Sequence, residues 1–303
     1  MARMPPRFKL PSEVMLLEAI ILLFATNAIV SKNYIMIGKH YPMTLVLTEI
    51  SRLGIAMAAD SAVTETLKAP DGNTVYRVLT GVHKLQVIDK LSCGISVWGD
   101  GQIGRVSTDI WLKSFIDDQE PNYDSIQEFA VLLQDELRRD VPRIDVRESP
   151  LGTLGFHLAG YVNYEGKRMP TFYHIHNGRS ESMQSRGIEI DPAKVNANND
   201  FPPDAVQKMM SRGLAILVRN GDFQIYAALF KHLDSFLREL SESGDLRVPD
   251  SRNLMDRAEW LRFQIRTISE LYRLSDRHLP SIGGEIGIIT ISPSGVDRCG
   301  LTI

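Results

Sequence analysis

The chain has 303 residues, of which 44% are apolar and 23% charged, and its formal net charge is −3. This length suits one large domain or two small ones, and this composition is typical of an ordinary water-soluble globular protein. The slightly acidic charge argues against general affinity for nucleic acid. Cys93 and Cys299 are the two cysteines, so no disulfide framework is predicted and a reducing, cytoplasmic location is expected.

The segment before residue 44 differs in character from the rest of the chain. Residues 1–9 are basic and contain prolines, and residues 19–30 form an uncharged apolar run that is too short to span a bilayer. Three interpretations are open: a removable propeptide or a start assigned too far upstream, a signal-peptide core with a poor cleavage site, and a retained helix. The first is favoured, so residues 1–43 are expected to precede the main domain and to form no stable membrane span.

A β-hairpin is predicted for residues 44–60, where two short apolar runs flank a tight turn. Gly54 suits a turn position with positive φ. A two-residue turn just before Gly54 places Thr44 opposite Ser61, which follows Asp60. The hairpin should therefore bring a threonine and a carboxylate together, although Asp60 would need a bulge or bend to face the same side.

Apolar periodicity predicts the elements that follow the hairpin. Strands are predicted over residues 77–89, 91–97, 151–163, 169–176, 285–292 and 296–303. Helices are predicted over residues 102–116, 125–137, 203–243 with a break at 219–222, and 254–272, and a loop over 179–200. The second helix is well signalled, because Ser125 and Glu128 form a capping box. This order of strands and helices is typical of a layered α+β domain.

Thr44 and the residues after it resemble the start of a proteasome β-type subunit and of its bacterial relatives, which are N-terminal-nucleophile (Ntn) hydrolases. A threonine precedes an apolar strand, and Gly54 begins the run Gly-Ile-Ala-Met-Ala-Ala-Asp-Ser-Ala-Val-Thr. The spacing from Thr44 to Asp60 matches the family's spacing from its nucleophile to its buried aspartate. The resemblance covers nearly all of residues 44–303 in element order, and its specific motifs lie mainly in residues 44–100.

The resemblance implies a four-layer αββα sandwich, with two antiparallel sheets packed face to face between two layers of helices. In the family the threonine is the first residue of the mature chain, so residues 1–43 would have to be absent from an active protein. Met43 stands where self-processed members commonly have glycine. Methionine before a small residue suits removal by an aminopeptidase, which favours translation from Met43. Residues 200–252 look like an insertion in the family's pattern.

The resemblance also implies a set of site residues. A threonine hydroxyl needs a base, and a free α-amine with an unperturbed pKa near ~8 can supply one. Lys84 would lower the pKa of that amine and Asp60 would hold Lys84, while the Gly99 N–H would bind the oxyanion. Asp276 and Ser281 resemble the pair that hydrogen-bonds the amine.

The sequence therefore predicts a threonine-type Ntn hydrolase that cleaves peptide bonds through Thr44. A non-catalytic structural subunit of the same fold and a small-molecule amidase are the alternatives. The family works as stacked rings, so a ring-like homo-oligomer acting on peptides or unfolded protein is expected, and an ATP-dependent unfoldase partner is left open. No cofactor is implied.

Two histidines on one strand raise the question of a metal. His174 and His176 lie on the same face of the strand predicted over residues 169–176, as a pair of metal ligands could. No third ligand is signalled, so polar surface histidines are preferred and no metal site is predicted.

Overall fold

The computed structural model describes residues 44–68, 73–103, 106–140, 154–177, 195–221, 253–275 and 282–298, together with isolated positions between 226 and 243. Over these residues the fold mixes α and β structure, with several antiparallel sheets and four α-helices. The predictions for residues 1–43 and for the final strand beyond residue 298 lie outside the described part of the chain.

Strands dominate the described residues. In chain order they are β1 (Leu45–Ser51), β2 (Gly54–Asp60), β3 (Val63–Lys68), β4 (Thr74–Leu79), β5 (Leu85–Ile88), β6 (Cys93–Gly99), β7 (Gln102–Ile103), β8 (Val106–Ser107), β9 (Leu154–Tyr164), β10 (Lys167–His176), β11 (Asn196–Phe201), β12 (Ile216–Gly221), β13 (Ile286–Ser292) and β14 (Gly295–Asp297). The α-helices are α1 (Thr108–Gln119), α2 (Ile126–Asp140), α3 (Pro203–Met210) and α4 (Leu254–Arg273).

Two five-stranded antiparallel sheets form the centre of the fold. Sheet I has the strand order β12–β1–β2–β13–β14, and sheet II has the order β11–β10–β9–β6–β5. The pairs β3–β4 and β7–β8 form two small separate sheets. The β1–β2 hairpin thus lies inside sheet I, with β12 on one side and β13 on the other.

The predicted register of the first hairpin is confirmed. Ile50 lies opposite Ile55 and Ser51 lies opposite Gly54, which leaves a two-residue turn between the strands. Gly54 has a φ of 137°, and a Cβ at this position would lie 2.7 Å from the carbonyl oxygen of Ile291. Both the backbone angle and the close neighbour therefore require glycine here.

Apolar side chains from both sheets form a shared core between them. Sheet I supplies Val46, Ile50, Ile55, Met57, Ile289 and Ile291. Sheet II supplies Leu85, Trp98, Ala159, Tyr161 and Phe172. Burying a large apolar side chain stabilises a protein by about 1.5–3 kcal/mol, so this interface holds the sheets face to face.

Helices α1, α2 and α4 pack against the two central sheets. α1 and α2 bury Leu112, Phe115, Phe129 and Leu133 in a second core, together with Ile95, Phe156 and Leu158 of sheet II. α4 packs on β2 and β13 of sheet I, and the apolar stripe predicted for it is buried at Ala258, Leu261, Ile265, Ile268 and Tyr272. The capping box that opens α2 is confirmed, since the Ser125 N–H donates to Glu128 and the Glu128 N–H donates to the Ser125 hydroxyl.

Four predictions of local structure are wrong. The strand expected over residues 77–89 is interrupted between β4 and β5, and the helix expected from residue 102 begins at residue 108, after β7 and β8. The end of the expected loop is β11. The first part of the helix expected over residues 203–243 ends at residue 210 and is followed by β12, whereas the described positions between 226 and 243 are helical, as predicted. Every residue of β12 pairs with β1, and such long-range pairing overrides a local helical period. The region expected as an insertion thus contributes a strand to sheet I.

Among the described helices, none is both long and apolar enough to cross a membrane. Cys93 is a free, buried cysteine, whereas Cys299 lies outside the described residues.

Candidate active site

Asp60 is the last residue of β2 and is 1% exposed. Its Oδ1 accepts hydrogen bonds from the Leu45 N–H at 3.0 Å and from the Lys84 ammonium at 2.9 Å. Its Oδ2 accepts from the backbone N–H groups of Ala62 at 3.2 Å and Gly283 at 3.1 Å. A carboxylate with four donors can remain charged although it is buried.

Lys84 lies immediately before β5 and is buried beside Asp60, with 3% of its surface exposed. Its Nζ also donates to the carbonyl oxygen of Ala62, and its own carbonyl accepts the Val97 N–H at 2.8 Å. Burial lowers the pKa of the Lys84 ammonium, and the charge and hydrogen bond of Asp60 and the charge of Asp109 oppose this. Lys84 is therefore a buried amine held in one orientation beside a fixed carboxylate.

Thr44 precedes β1 and is 4% exposed. The Leu45 N–H, one residue further on, donates to the same Asp60 oxygen that binds Lys84. Gly221 faces the backbone of Thr44: its φ is 100°, and a Cβ there would lie 1.5 Å from the Thr44 carbonyl oxygen. Glycine at residue 221 thus lets the end of β12 approach Thr44 closely.

Thr44, Lys84 and Gly99 line one cleft, together with Trp98, Asp100 and Asp109. Gly99 ends β6 with a φ of 91°, a conformation that favours glycine. The next carboxyl is unusual, because burial raises the pKa of Asp100 to about 6 against the opposing hydrogen bond from Gly101. The predicted residues Thr44, Asp60, Lys84 and Gly99 are therefore close together, and Asp60 contacts Lys84 directly.

The remaining two predicted site residues, Asp276 and Ser281, lie outside the described part of the chain. The segment just after them does reach the site. The Gly283 N–H binds Asp60, and the Gly283 carbonyl accepts the Ser61 N–H at 3.0 Å. The loop before β13 is therefore joined to the end of β2.

Sequence reasoning missed three residues of this region: Asp100, Asp109 and Gly221. The sequences around Asp100 and around Asp109 are typical of many turns and helix starts, so they give no signal of a functional site. The Asn220–Gly221 pair signals a turn, but the sequence pattern predicts a break in a helix there and not the end of a strand. Only the pairing of β12 with β1 brings Gly221 to Thr44.

The expectation that His174 and His176 lie on the surface is wrong, since each is 5% exposed. Both face the space between the sheets, where their ring centroids lie 4.5 Å apart and His174 lies 5.4 Å from His157. His157 in turn contacts Thr48 and Asn220. Within the described ranges, no group of three His, Cys, Asp or Glu side chains could hold a metal ion.

No protein-family model matches the chain, and no curated protein is significantly similar to it. Among solved structures, the chain is similar to one described as the Anbu (Gly-1) mutant from Hyphomicrobium sp. strain MC1. The two share 12% identity with a TM-score of 0.45, and the likeness covers 84% of this chain and 85% of that chain. A likeness at this identity and TM-score assigns neither a family nor an activity.

Proposed function

We propose that residues 44–303 form an Ntn hydrolase of the four-layer αββα type, and that Thr44 cleaves peptide bonds once residues 1–43 are gone. One observation carries this proposal. A single buried oxygen, Asp60 Oδ1, binds both the amide that follows Thr44 and the Lys84 ammonium. Asp60 thus holds the start of β1, next to the proposed nucleophile Thr44, close to the Lys84 ammonium.

The packing of the described elements supports the proposed fold. α1 and α2 lie on sheet II, sheet II packs on sheet I, and α4 lies on sheet I. This succession agrees with a helix layer, two sheets and a second helix layer. Thr44 and Gly99 lie at the ends of β1 and β6, which belong to different sheets. A substrate could therefore reach both residues at one end of the sandwich.

The first half of the proposed reaction is acylation of Thr44. The hydroxyl proton passes to the free α-amine of Thr44, and Oγ bonds to the carbonyl carbon of the substrate. The negative charge that develops on the carbonyl oxygen is bound by the Gly99 N–H, and such a donor is worth about 3–4 kcal/mol. The proton then moves from the amine to the leaving nitrogen as the C–N bond breaks, which releases an amine and leaves an ester on Thr44.

The second half is hydrolysis of that ester. A water molecule gives one proton to the same α-amine and bonds through its oxygen to the ester carbon. The ester C–O bond breaks, Thr44 Oγ regains the proton, and a carboxylic acid leaves. The amine therefore serves as base and then as acid in each half, as general acid–base catalysis requires.

Lys84 would set the protonation state of that amine. A positive charge nearby disfavours protonation of the α-amine and so increases the neutral fraction that can act as a base. A peptide bond to residue 43 would convert the same nitrogen into an amide, which is not a base. This is why the proposal requires a protein that begins at Thr44.

The test starts from three proteins: the full chain, a protein produced from Met43, and the latter with Thr44→Ala. Intact mass establishes which of them begin at Thr44. The protein that begins at Thr44 should cleave peptides and unfolded protein, and Thr44→Ala should reduce this to background while thermal unfolding is unchanged. Thr44→Ser, which keeps a hydroxyl, should retain measurable activity.

Each other outcome excludes part of the proposal. Full activity of the intact chain of residues 1–303, or of Thr44→Ala, would show that Thr44 is not an N-terminal nucleophile. Cleavage of small amides without cleavage of peptides would favour an amidase. A folded protein that begins at Thr44 and hydrolyses neither would favour a structural subunit. Light scattering would test the expected ring, because a monomer at micromolar concentration contradicts it.

A further inference from the structure

A second carboxylate lies on the Lys84 side of the cleft, in the first turn of α1. Asp109 is largely buried, and its Oδ2 accepts the His83 N–H at 3.0 Å. Its Oδ1 accepts the Ser107 hydroxyl. Its backbone carbonyl accepts the Gln86 side-chain amide at 2.8 Å. The start of α1 is thus fastened to residues on both sides of Lys84.

Asp109 also acts on Lys84 through space. Its charge opposes the effect of burial on the pKa of the Lys84 ammonium, in addition to the stronger effect of Asp60. The two carboxylates approach from different elements, Asp60 from β2 and Asp109 from α1. Asp109 and Lys84 line the same cleft as Thr44.

We propose that Asp109 is a positioning residue of the Thr44 site, which holds the backbone on both sides of Lys84 and places a second carboxylate beside the cleft that Lys84 and Thr44 line. This inference rests on the function proposed above. It adds a residue that acts through Lys84 and does not itself contact the reacting atoms.

Other titratable groups lie around Lys84, and a test of Asp109 must leave them unchanged. Asp60 binds it directly, and Asp100 lines the cleft with it. His83 and Glu285 line a second recess together with Lys84. The α-amine of Thr44 would be the fifth such group. A single substitution at residue 109 leaves all five unchanged, so the difference from the wild-type protein reports Asp109 alone.

Asp109→Asn is the informative variant. The asparagine side chain has the same shape, its oxygen can accept the His83 N–H, and its NH₂ can donate to the Ser107 hydroxyl. The charge is lost and the hydrogen bond with Ser107 changes direction, but both contacts can be kept. Without that charge the ammonium forms of Lys84 and of the Thr44 amine are both less favoured.

The expected result is a shift of the whole pH–activity profile to lower pH. The acid limb of the profile, where the amine must be neutral, moves to lower pH. The alkaline limb, where Lys84 must be charged, also moves to lower pH. Activity at the wild-type optimum should fall, but by less than the ~100-fold or more expected for loss of Lys84 itself. Asp118→Asn, which removes an exposed carboxylate from the same helix, is the matched control and should shift neither limb.

A titration by NMR tests the inference without any activity. In protein labelled at the lysine Cε carbons, Lys84→Arg identifies the Lys84 signal. In Asp109→Asn that signal should titrate at lower pH than in the wild type, and in Asp118→Asn it should not move. If Asp109→Asn fails to fold, Asp109→Ser is titrated instead, because serine is also favoured near the start of a helix.

The outcomes separate this inference from the proposed function. An active wild-type protein whose profile and Lys84 titration are unchanged by Asp109→Asn would overturn the role of Asp109 alone. An inactive wild-type protein with a shifted Lys84 titration would overturn the proposed function and retain the effect of Asp109 on Lys84. A lower rate at every pH with no shift would indicate structural damage only, and would also overturn the inference.

Discussion

Two buried polar clusters lie beside β1 and β12 but differ in charge and in access. One joins Asp60, Lys84 and the backbone beside Thr44. The other joins Thr48 Oγ1 to His157 Nδ1 at 3.0 Å and His157 Nε2 to Asn220 Oδ1 at 2.8 Å. Thr44 immediately precedes β1 and Thr48 lies within it, while β12 supplies neighbouring residues, Gly221 beside Thr44 and Asn220 beside His157.

The His157 cluster is neutral and enclosed. Burial lowers the pKa of His157 to about 3, and the neighbouring His174 adds to this effect. A neutral ring can donate from Nε2 to Asn220 and accept the Thr48 hydroxyl proton at Nδ1, a tautomer assigned from these partners. Every polar atom of the ring is then satisfied, and no surface of His157 is exposed.

The Lys84 cluster is charged and lines a cleft. A buried ion pair is weak evidence for stability, because desolvation of two charges offsets most of their attraction. A lysine with a lowered pKa that lines a cleft with a threonine is better evidence for function. The comparison therefore predicts that changes near Lys84 affect activity, whereas changes near His157 affect stability.

The largest effect is expected for Lys84→Met. The methionine fills a similar volume, and Asp60 keeps its three backbone donors, so the protein should fold. Activity of the protein that begins at Thr44 should fall by about 100-fold or more, because the amine loses the cation that keeps it neutral. Steady-state assays with a fluorogenic peptide measure this effect.

Lys113→Met is the control for Lys84→Met. Lys113 pairs with Asp117 on the exposed side of α1, and its removal should change activity little. If Lys84→Met and Lys113→Met have equal activity, the functional interpretation of the buried ion pair is wrong.

Adjacent residues of β12 offer a second contrast. Gly221→Ala places a methyl group against the Thr44 carbonyl at a backbone angle that alanine rarely adopts, so β12 must move away from Thr44. We expect a loss of several kcal/mol in the free energy of unfolding, or at least ~10-fold in activity, since small misplacements of reacting groups are costly. Asn220→Ala should lower stability and leave activity per folded molecule unchanged.

Denaturant unfolding and activity assays of the same preparations measure both quantities. A Gly221→Ala protein with wild-type stability and activity would show that the close approach at Thr44 is unimportant. Gly213→Ala is a useful control, because Gly213 also has a positive φ, of 70°, but a Cβ there would have no neighbour within 4 Å.

Local sequence predicted those parts of the molecule whose partners are close along the chain. The register of the β1–β2 hairpin and the capping box at Ser125 depend on residues a few positions apart. The edge strands β11 and β12 were missed, because their pairing partners lie far away and β11 has a mostly polar sequence.

The same limit applies to the candidate site. The distance between Thr44 and Asp60 follows from one hairpin, so it could be predicted. The contact from Gly283 to Asp60 joins residues that are 223 positions apart, and Asp109 reaches His83 only because the start of α1 lies beside the residues around Lys84. Contacts of this kind depend on how separate elements pack, and no local period encodes them.

The buried, neutral His157 makes the stability of the protein depend on pH. The pKa of His157 is 6.5 in the unfolded chain and burial lowers it to about 3 in the folded protein, so between these values the unfolded state binds more protons. Stability is therefore full above pH 6.5 and is lost as the pH falls towards 3. The contribution between pH 7 and pH 4 is about 3 kcal/mol.

Urea unfolding at several pH values measures this loss, with His157→Gln as the reference. Glutamine does not titrate, so the wild type should lose more stability than His157→Gln over the same pH range. Equal slopes for the two proteins would show that His157 is not held neutral in the folded state.

The smallest effect is expected for Thr48→Val. Valine has the shape of threonine, but it cannot donate to His157 Nδ1, so a buried acceptor loses its partner at a cost of about 1–3 kcal/mol. Losing this bond also makes the neutral ring less favoured, so the pH dependence attributed to His157 should weaken. The effect of Thr48→Val on stability should be smaller in a His157→Gln background, because the effects of substitutions at two residues in contact are not additive.

Thr48→Val also tests the separation between the two clusters. Thr44 precedes β1 and Thr48 lies four residues further on, within β1, and both threonines are buried. If Thr44 alone of the two threonines takes part in the reaction, Thr48→Val should retain wild-type activity per folded molecule, whereas Thr44→Ala should abolish activity. Loss of activity in both variants at equal stability would mean that Thr48, His157 and Asn220 take part in the chemistry. The neutral cluster would then no longer be a purely structural one.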